Sequence, residues 1–381
     1  MKVTSKIIAA LSLALLANTA TYAQSTIKLA NLLEMSGSGA TVGMNMNDGV
    51  KLAVKEINAS GGVLGRKFEV TTYDTQTNPG IAKGLAQKVV DDNIFAVIGP
   101  IFSGSILVSM SETRRAEIPN FTGAASALVT QQGHQYVIRT NSTQVATMPK
   151  VVRYIKDTLK AKTVDMIWVN NDFGKGGRDE IIKSLQANGI KVGADISTDQ
   201  GQVDFSSAVL KAKQSNGDVL FAYVHEEESA RLLKALRNQG YNKPIMGETT
   251  VVNQKTIELA GPAANGVLGH VPLTADAPHP AMKAFSQKFF QEYKYRPDHN
   301  GIQGYMIPYI IKAVSEKIGK VDSKEFNKSL RGMRLYVKDH PGILLDMKYD
   351  SNGDADRSSY IVQIKNGKQE VTAVVPPAVP F

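Results

Sequence analysis

The chain has 381 residues, 43% hydrophobic and 21% charged, with a formal net charge of +9 and no cysteine. At about 150 residues per domain this length predicts two domains with full cores, and the ordinary composition argues against disorder, collagen or coiled coil. Without cysteine there is no disulfide, no thiolate nucleophile, no cysteine zinc site or iron–sulfur cluster, and no residue to carry a lipoprotein anchor. The basic excess is spread as single lysines with no run of five, which reads as a solvated surface and not a nucleic-acid footprint.

Lys2 and Lys6 precede an apolar run over 7–17, and Thr21-Tyr22-Ala23 places small residues where a signal peptidase needs them. This predicts a secretory signal peptide over 1–23, removed after Ala23, and export to a periplasm. The run is about half of the roughly 20 residues that span a bilayer, and no later segment approaches that length, so no membrane insertion is expected.

From there strand and helix patterns alternate. Strands are expected at 27–33, 68–74, 94–98 and 118–121, separated by helices at 43–58, 79–91 and 105–116. A short strand at 136–139 closes this series. A second series follows, with strands at 163–169, 190–196, 219–224 and 244–246 and helices at 151–159, 174–187, 205–213 and 227–238. Two β-α-β-α series argue for two doubly wound parallel sheets. The third stretch is mostly helical (282–293, 302–318, 323–331) and ends in strands at 342–349 and 360–365. The tail from Val375, with three prolines, is expected to fray.

Several local patterns occur together in a fixed order: Met35-Ser36-Gly37, the helix from Gly49 to Asn58, Gly61-Gly62-Val63-Leu64-Gly65, Tyr73-Asp74, Val97-Ile98-Gly99-Pro100, Arg139-Thr140 and Asp204-Phe205-Ser206. In this order and spacing the chain resembles the leucine/isoleucine/valine-type (branched-chain amino acid family) substrate-binding proteins of ABC importers. The resemblance implies an α/β type I periplasmic binding protein, two doubly wound parallel-sheet lobes joined by three crossover segments near 142, 273 and 356. Lobe I would then comprise 24–142 and 274–355, and lobe II 143–273 and 356–381. It also implies a small-molecule ligand, an inner-membrane ABC permease as partner, hinge closure and no cofactor. A ligand-sensing module serving a membrane receptor or chemoreceptor is the alternative, with the same fold.

The segment from Gly99 to Ser105 joins a buried strand to a helix, and a helix N-terminus offers unpaired N–H groups and partial positive charge to an anion. Ser103 either caps that helix or contributes a hydroxyl donor; the resemblance places it where a serine holds the ligand carboxylate. Small residues in Thr122-Gly123-Ala124-Ala125-Ser126 allow a close backbone approach. The resemblance puts Ala124 and Ser126 on the same carboxylate. Phe173 falls on a ligand-packing tyrosine and His225 on another, at the end of a strand. Glu226, Glu227 and Glu228 read as acids complementing a helix dipole, with no ligand role.

Ungapped spacing puts Thr249 where amino-acid-binding relatives carry the acid that pairs the ligand ammonium, with Glu248 one residue away. Val42 stands where leucine-type proteins carry tryptophan. The expected ligand is therefore a small carboxylate with an apolar, even aromatic, body and no strict need for an ammonium.

No catalytic or metal constellation emerges. Val42 replaces the third glycine of a dinucleotide loop, there is no nucleophile elbow or phosphate loop, and the histidines lack paired ligand spacing. The Asp350–Asp356 acids imitate a calcium loop, but Ala355 and Ile361 stand at its glycine and glutamate places, so a hairpin turn is expected.

Overall fold

A computed structural model of the protein describes residues 26–133 and 135–377. The expected signal peptide lies outside the described residues. Five parallel strands make the first sheet, in the order β2-β1-β3-β4-β5: β1 Ile27–Leu33, β2 Phe68–Asp74, β3 Ala96–Ile98, β4 Asn120–Thr122 and β5 Val137–Arg139. Both faces are covered, as parallel sheets require. Ala30, Leu32 and Val97 pack on Ala86 and Val89 of the Pro79–Val90 helix. Leu29, Leu33 and Ile98 join Val50, Ala53 and Ile57 of the Ala40–Ala59 helix on the other face.

The second sheet has seven strands, β15-β14-β10-β9-β8-β6-β7. Its parallel part is β6 Thr163–Val169, β7 Lys191–Thr198, β8 Val219–Tyr223, β9 Ile245–Glu248 and β10 Leu268–Val271. Between β10 and the rest, β11 Arg334–Leu335, β12 Met347–Tyr349 and β13 Ala355–Asp356 form a small antiparallel sheet, where Tyr349 opposite Ala355 closes the expected hairpin. The last two strands, β14 Ser359–Lys365 and β15 Lys368–Val375, add antiparallel to the second sheet. The chain therefore passes between the sheets three times, after β5, after β10 and between β13 and β14.

After the second passage the chain returns to the first sheet's side. The His299–Ile318 helix lies against the Ala40–Ala59 helix so closely that a Cβ at Gly49 would strike the Gly301 carbonyl oxygen. That contact brings His299 and Asn300, at the head of the later helix, to the end of the first sheet where the loops converge.

Three expectations change in detail. The helix expected at 151–159 begins at Gln144, because the Thr143 hydroxyl accepts the Ala146 amide at 3.0 Å and Pro149 is accommodated inside. The strand expected at 342–349 is only Met347–Tyr349. Third, the sequence named no strand after 365, whereas β15 runs to Val375, joined to β14 through Asn366 and Gly367, both with positive φ (50° and 75°). An Asn-Gly pair between alternating strands is a hairpin signal.

Candidate functional site

A cavity of about 460 Å³, counting its opening, lies where the loops at the carboxyl ends of the two parallel sheets face each other. Val42, Ser103, Gly123, Ala125 and Asn141 contribute from the first sheet's side, and Phe173, His225, Glu226, Glu248 and Thr249 from the second. Thr250, His299 and Asn300 close one end. Five of the seven residues expected from sequence thus meet on one wall system: Ser103, Phe173, His225, Glu248 and Thr249.

At the first end, Ser103 opens the Ser103–Arg115 helix with its side chain buried, and its Oγ accepts the Ser126 amide at 3.4 Å. The helix entrance is less free than the sequence suggests. Glu34, fully buried, already accepts the Ile101 and Phe102 amides at 3.1 and 3.0 Å. Burial pushes the Glu34 carboxyl up and those two bonds pull it back. An internal carboxylate therefore occupies two of the donors expected to face a ligand, leaving Ser103 as the side-chain donor on this side.

Ala124 and Ser126 do not form the lining; their neighbours Gly123 and Ala125 do. The Ala124 amide donates to Thr122 Oγ1 at 3.1 Å. The guanidinium of Arg139 donates to the carbonyls of both Ala124 and Ser126, while its Nε pairs with Asp354 at 2.7 Å. Arg139 is fully buried, so this loop is held from behind by a charge-assisted clamp.

The side wall is aromatic. Phe102 stacks on His225 (ring centroids 4.5 Å apart), His225 on Phe173 (4.9 Å) and Phe173 on Tyr223 (4.3 Å). Phe102 precedes the first sheet's helix and the others belong to the second, so this stack joins the two halves. It separates the inner cavity from an outer recess that Thr77, Pro79, Asn171 and Gln200 line. Burial holds the His225 imidazole neutral, down to about 4, and its Nε2 lies 2.9 Å from Asn171 Nδ2. That amide can only donate, so Nε2 accepts from it and does not donate to a ligand oxygen.

The far end is rich in acceptors. Glu248 is 5% exposed; Oε2 accepts the Thr249 amide and Oε1 lies 3.0 Å from His270 Nδ1. Lining the same cavity is Glu226, to which the sequence assigned no ligand role. It is 7% exposed and, among the described residues, its hydrogen-bonding side chain is Asn253, at 3.2 Å. Burial, with Asp298, Glu228 and Glu227 nearby, pushes its carboxyl up to about 8. Thr249 Oγ1, Thr250 Oγ1 and Asn300 Oδ1 are buried with no partner among the described residues. The signal for Glu226 was its place, three residues beyond the end of the buried strand β8, where a helix's first turn faces the cleft.

The family described as periplasmic binding protein matches this chain over residues 26–369. A leucine-, isoleucine-, valine-, threonine-, and alanine-binding protein of Pseudomonas aeruginosa is 27% identical over 331 residues, 86% of this chain and 87% of its own length. The Leu/Ile/Val-binding protein of Escherichia coli is 30% identical over 251 residues, 66% of this chain and 68% of its own. Among solved structures, a leucine binding protein of Thermotoga maritima superimposes with a TM-score of 0.84 at 24% identity, covering 92% of this chain and all but 1% of the other (99%). A Rhodopseudomonas palustris solute binding protein in complex with benzoate gives 0.84 at 22% identity, with 94% and 98% covered.

Proposed function

Because the chain belongs to the periplasmic binding protein family, among its branched-chain amino acid-type substrate-binding proteins, we propose that it is the periplasmic receptor of an ABC importer, binding a small carboxylate with an apolar body. Residues 24–142 with 274–355 act as one lobe and 143–273 with 356–381 as the other. The ligand lies between them and is touched by both only when they close, which is how its binding shifts the population toward the closed form. The permease then takes the closed form.

The observation that carries this reading is the polarity of the cavity: a hydroxyl donor at Ser103, an aromatic wall, and an acid end at Glu226 and Glu248. A carboxylate fits the first and an apolar body the second. The acid end favours a ligand with an ammonium, because the Glu226 and Glu248 carboxyls and the Thr249, Thr250 and Asn300 oxygens offer its N–H groups acceptors at one place. This turns the expectation from sequence, which set neutral Thr249 at the ammonium position with Glu248 one residue away, toward a hydrophobic amino acid. The Pseudomonas relative is named for amino acids of this type.

An aromatic acid is the second reading. It draws on the Phe102–His225–Phe173 stack, on the small Val42, and on solved relatives in complex with benzoate and 3,4-dihydroxy benzoic acid. A thermal-shift screen separates the two. Stabilisation by leucine, valine or phenylalanine and none by benzoate or 4-methyl-2-oxopentanoate is expected; the reverse pattern would establish the aromatic-acid reading.

A further inference from the structure

The face of Glu248 turned from the cavity enters a line of buried polar groups that crosses three elements. Glu248 ends β9, and its register partner on β10 is His270, whose Nδ1 lies 3.0 Å from Oε1. On the other side of that ring, Nε2 lies 2.9 Å from the hydroxyl of Ser359, the first residue of β14. Lys150, on the Gln144–Asp157 helix, donates to the same hydroxyl at 3.2 Å. His270 and Ser359 are fully buried.

Proton counting gives this line a direction. An ammonium only donates and a carboxylate only accepts. With Lys150 donating to Ser359, the serine's single proton goes to His270 Nε2, and the remaining ring proton on Nδ1 goes to Glu248. Every atom is then used once, with the imidazole neutral. Serine, histidine and an acid in this order also make a hydrolytic triad. Here Ser359 is buried beneath the sheet and serves as a link, with no access to act as a nucleophile.

We propose that Lys150, Ser359 and His270 are positioning residues that hold Glu248 ionised and aimed at the cationic end of the ligand. They form an ion pair split by two neutral links, which supplies the compensation a buried carboxylate needs without placing a cation in the cavity. Glu226 has no such line behind it; the Asn253 amide donates to it at 3.2 Å. The other charged or titratable groups facing the line are Tyr223 on β8 and His299 on the long helix, both near Glu248, and Asp356, Arg357 and Arg153 next to Lys150. Ser359 lies just past the third passage between the sheets, so the line ties the ligand-binding acid to the segment about which the halves would move.

This inference rests on Glu248 facing a ligand ammonium, and its test has two separable arms. The first uses ligand-free protein labelled with nitrogen-15 in histidine, with the His270 signals assigned by their loss in His270→Gln. One tautomer is expected between pH 6 and 8, protonated at Nδ1, giving way to a mixture in Lys150→Met; Ser359→Ala serves if that variant does not fold. An Nε2-protonated ring, or an unchanged ring in the folded variants, would overturn the line. The second arm is calorimetry with leucine and phenylalanine against 4-methyl-2-oxopentanoate and phenylpyruvate. Ser359→Ala should weaken the amino acids about 10-fold or more and leave the keto acids unchanged. Equal weakening of both would remove the positioning role. Binding of neither amino acid by the unmodified protein would overturn the ligand class, while the tautomer result still decides the line.

Discussion

Ser103 and Glu226 sit at opposite ends of one cavity with opposite chemistry, a hydroxyl donor and a buried acid. Ser103→Ala should weaken ligand binding about 10- to 150-fold, the range of a lost hydrogen bond to a charged group, with the thermal midpoint of the ligand-free protein little changed. Isothermal calorimetry checks it; an unchanged affinity in a folded variant would remove the carboxylate from this end. Glu226 makes a sharper statement. Burial pushes its carboxyl up to about 8, so the folded state holds a proton that the unfolded chain releases. Its contribution to stability is therefore fully present below about pH 4.5 and is lost as pH rises toward 8. Glu226→Gln should raise the thermal midpoint of the ligand-free protein, by more at pH 8 than at pH 5, and should weaken amino acids but not aromatic acids. A bound ammonium would also draw off the Glu226 proton, so binding measured at pH 7 in buffers of differing ionisation enthalpy should release close to one proton. Neither behaviour follows if the far end holds only an apolar group. His225 tilts the other way: its ring is held neutral, down to about 4, so its share of stability is present above about pH 6.5 and is lost as pH falls toward 4.

The loop after β4 is an element whose shape depends on a residue outside it. Arg139 holds the Ala124 and Ser126 carbonyls and pairs with Asp354 across the small sheet. Arg139→Met should destabilise the protein by about 3–5 kcal/mol, the cost of removing one partner from a buried pair. Urea denaturation measures the loss, and a change under about 1 kcal/mol would place the clamp among ordinary surface contacts. The clamp also explains why spacing misjudged this loop. The residues Thr122 to Ser126 were legible as a tight, small-residue turn, but which of them faces the cavity depends on Arg139 pulling alternate carbonyls backward. Strand and helix periodicity located β1, β6 and the Pro79–Val90 helix closely, because their apolar residues recur at fixed intervals. The start of the 144–157 helix and β15 were missed for local reasons, a capping threonine before an internal proline and an Asn-Gly turn not taken as a hairpin signal.

At the scale of the molecule, the alternating pattern was enough for two parallel sheets, while the three passages between them came from resemblance and not from periodicity. Charge states were beyond sequence altogether. Glu226 looked like a helix-dipole acid until burial beside Asp298 and Glu228 became visible, and Glu34 gave no hint that it would occupy the Ile101 and Phe102 amides. The Phe102–His225 stack spans the two halves, and on the proposed reading the arrangement described is a closed one. The central claim is that a ligand bridges these halves and favours that arrangement. Its most direct measurement exploits the absence of cysteine. Spin labels on Lys83→Cys and Lys211→Cys, both exposed helix positions on opposite halves, report the separation by pulsed electron resonance. The account predicts a broad distribution with a longer component in the free protein, collapsing to one shorter distance at saturation with a ligand that raises the thermal midpoint. The same distribution with and without that ligand would contradict it.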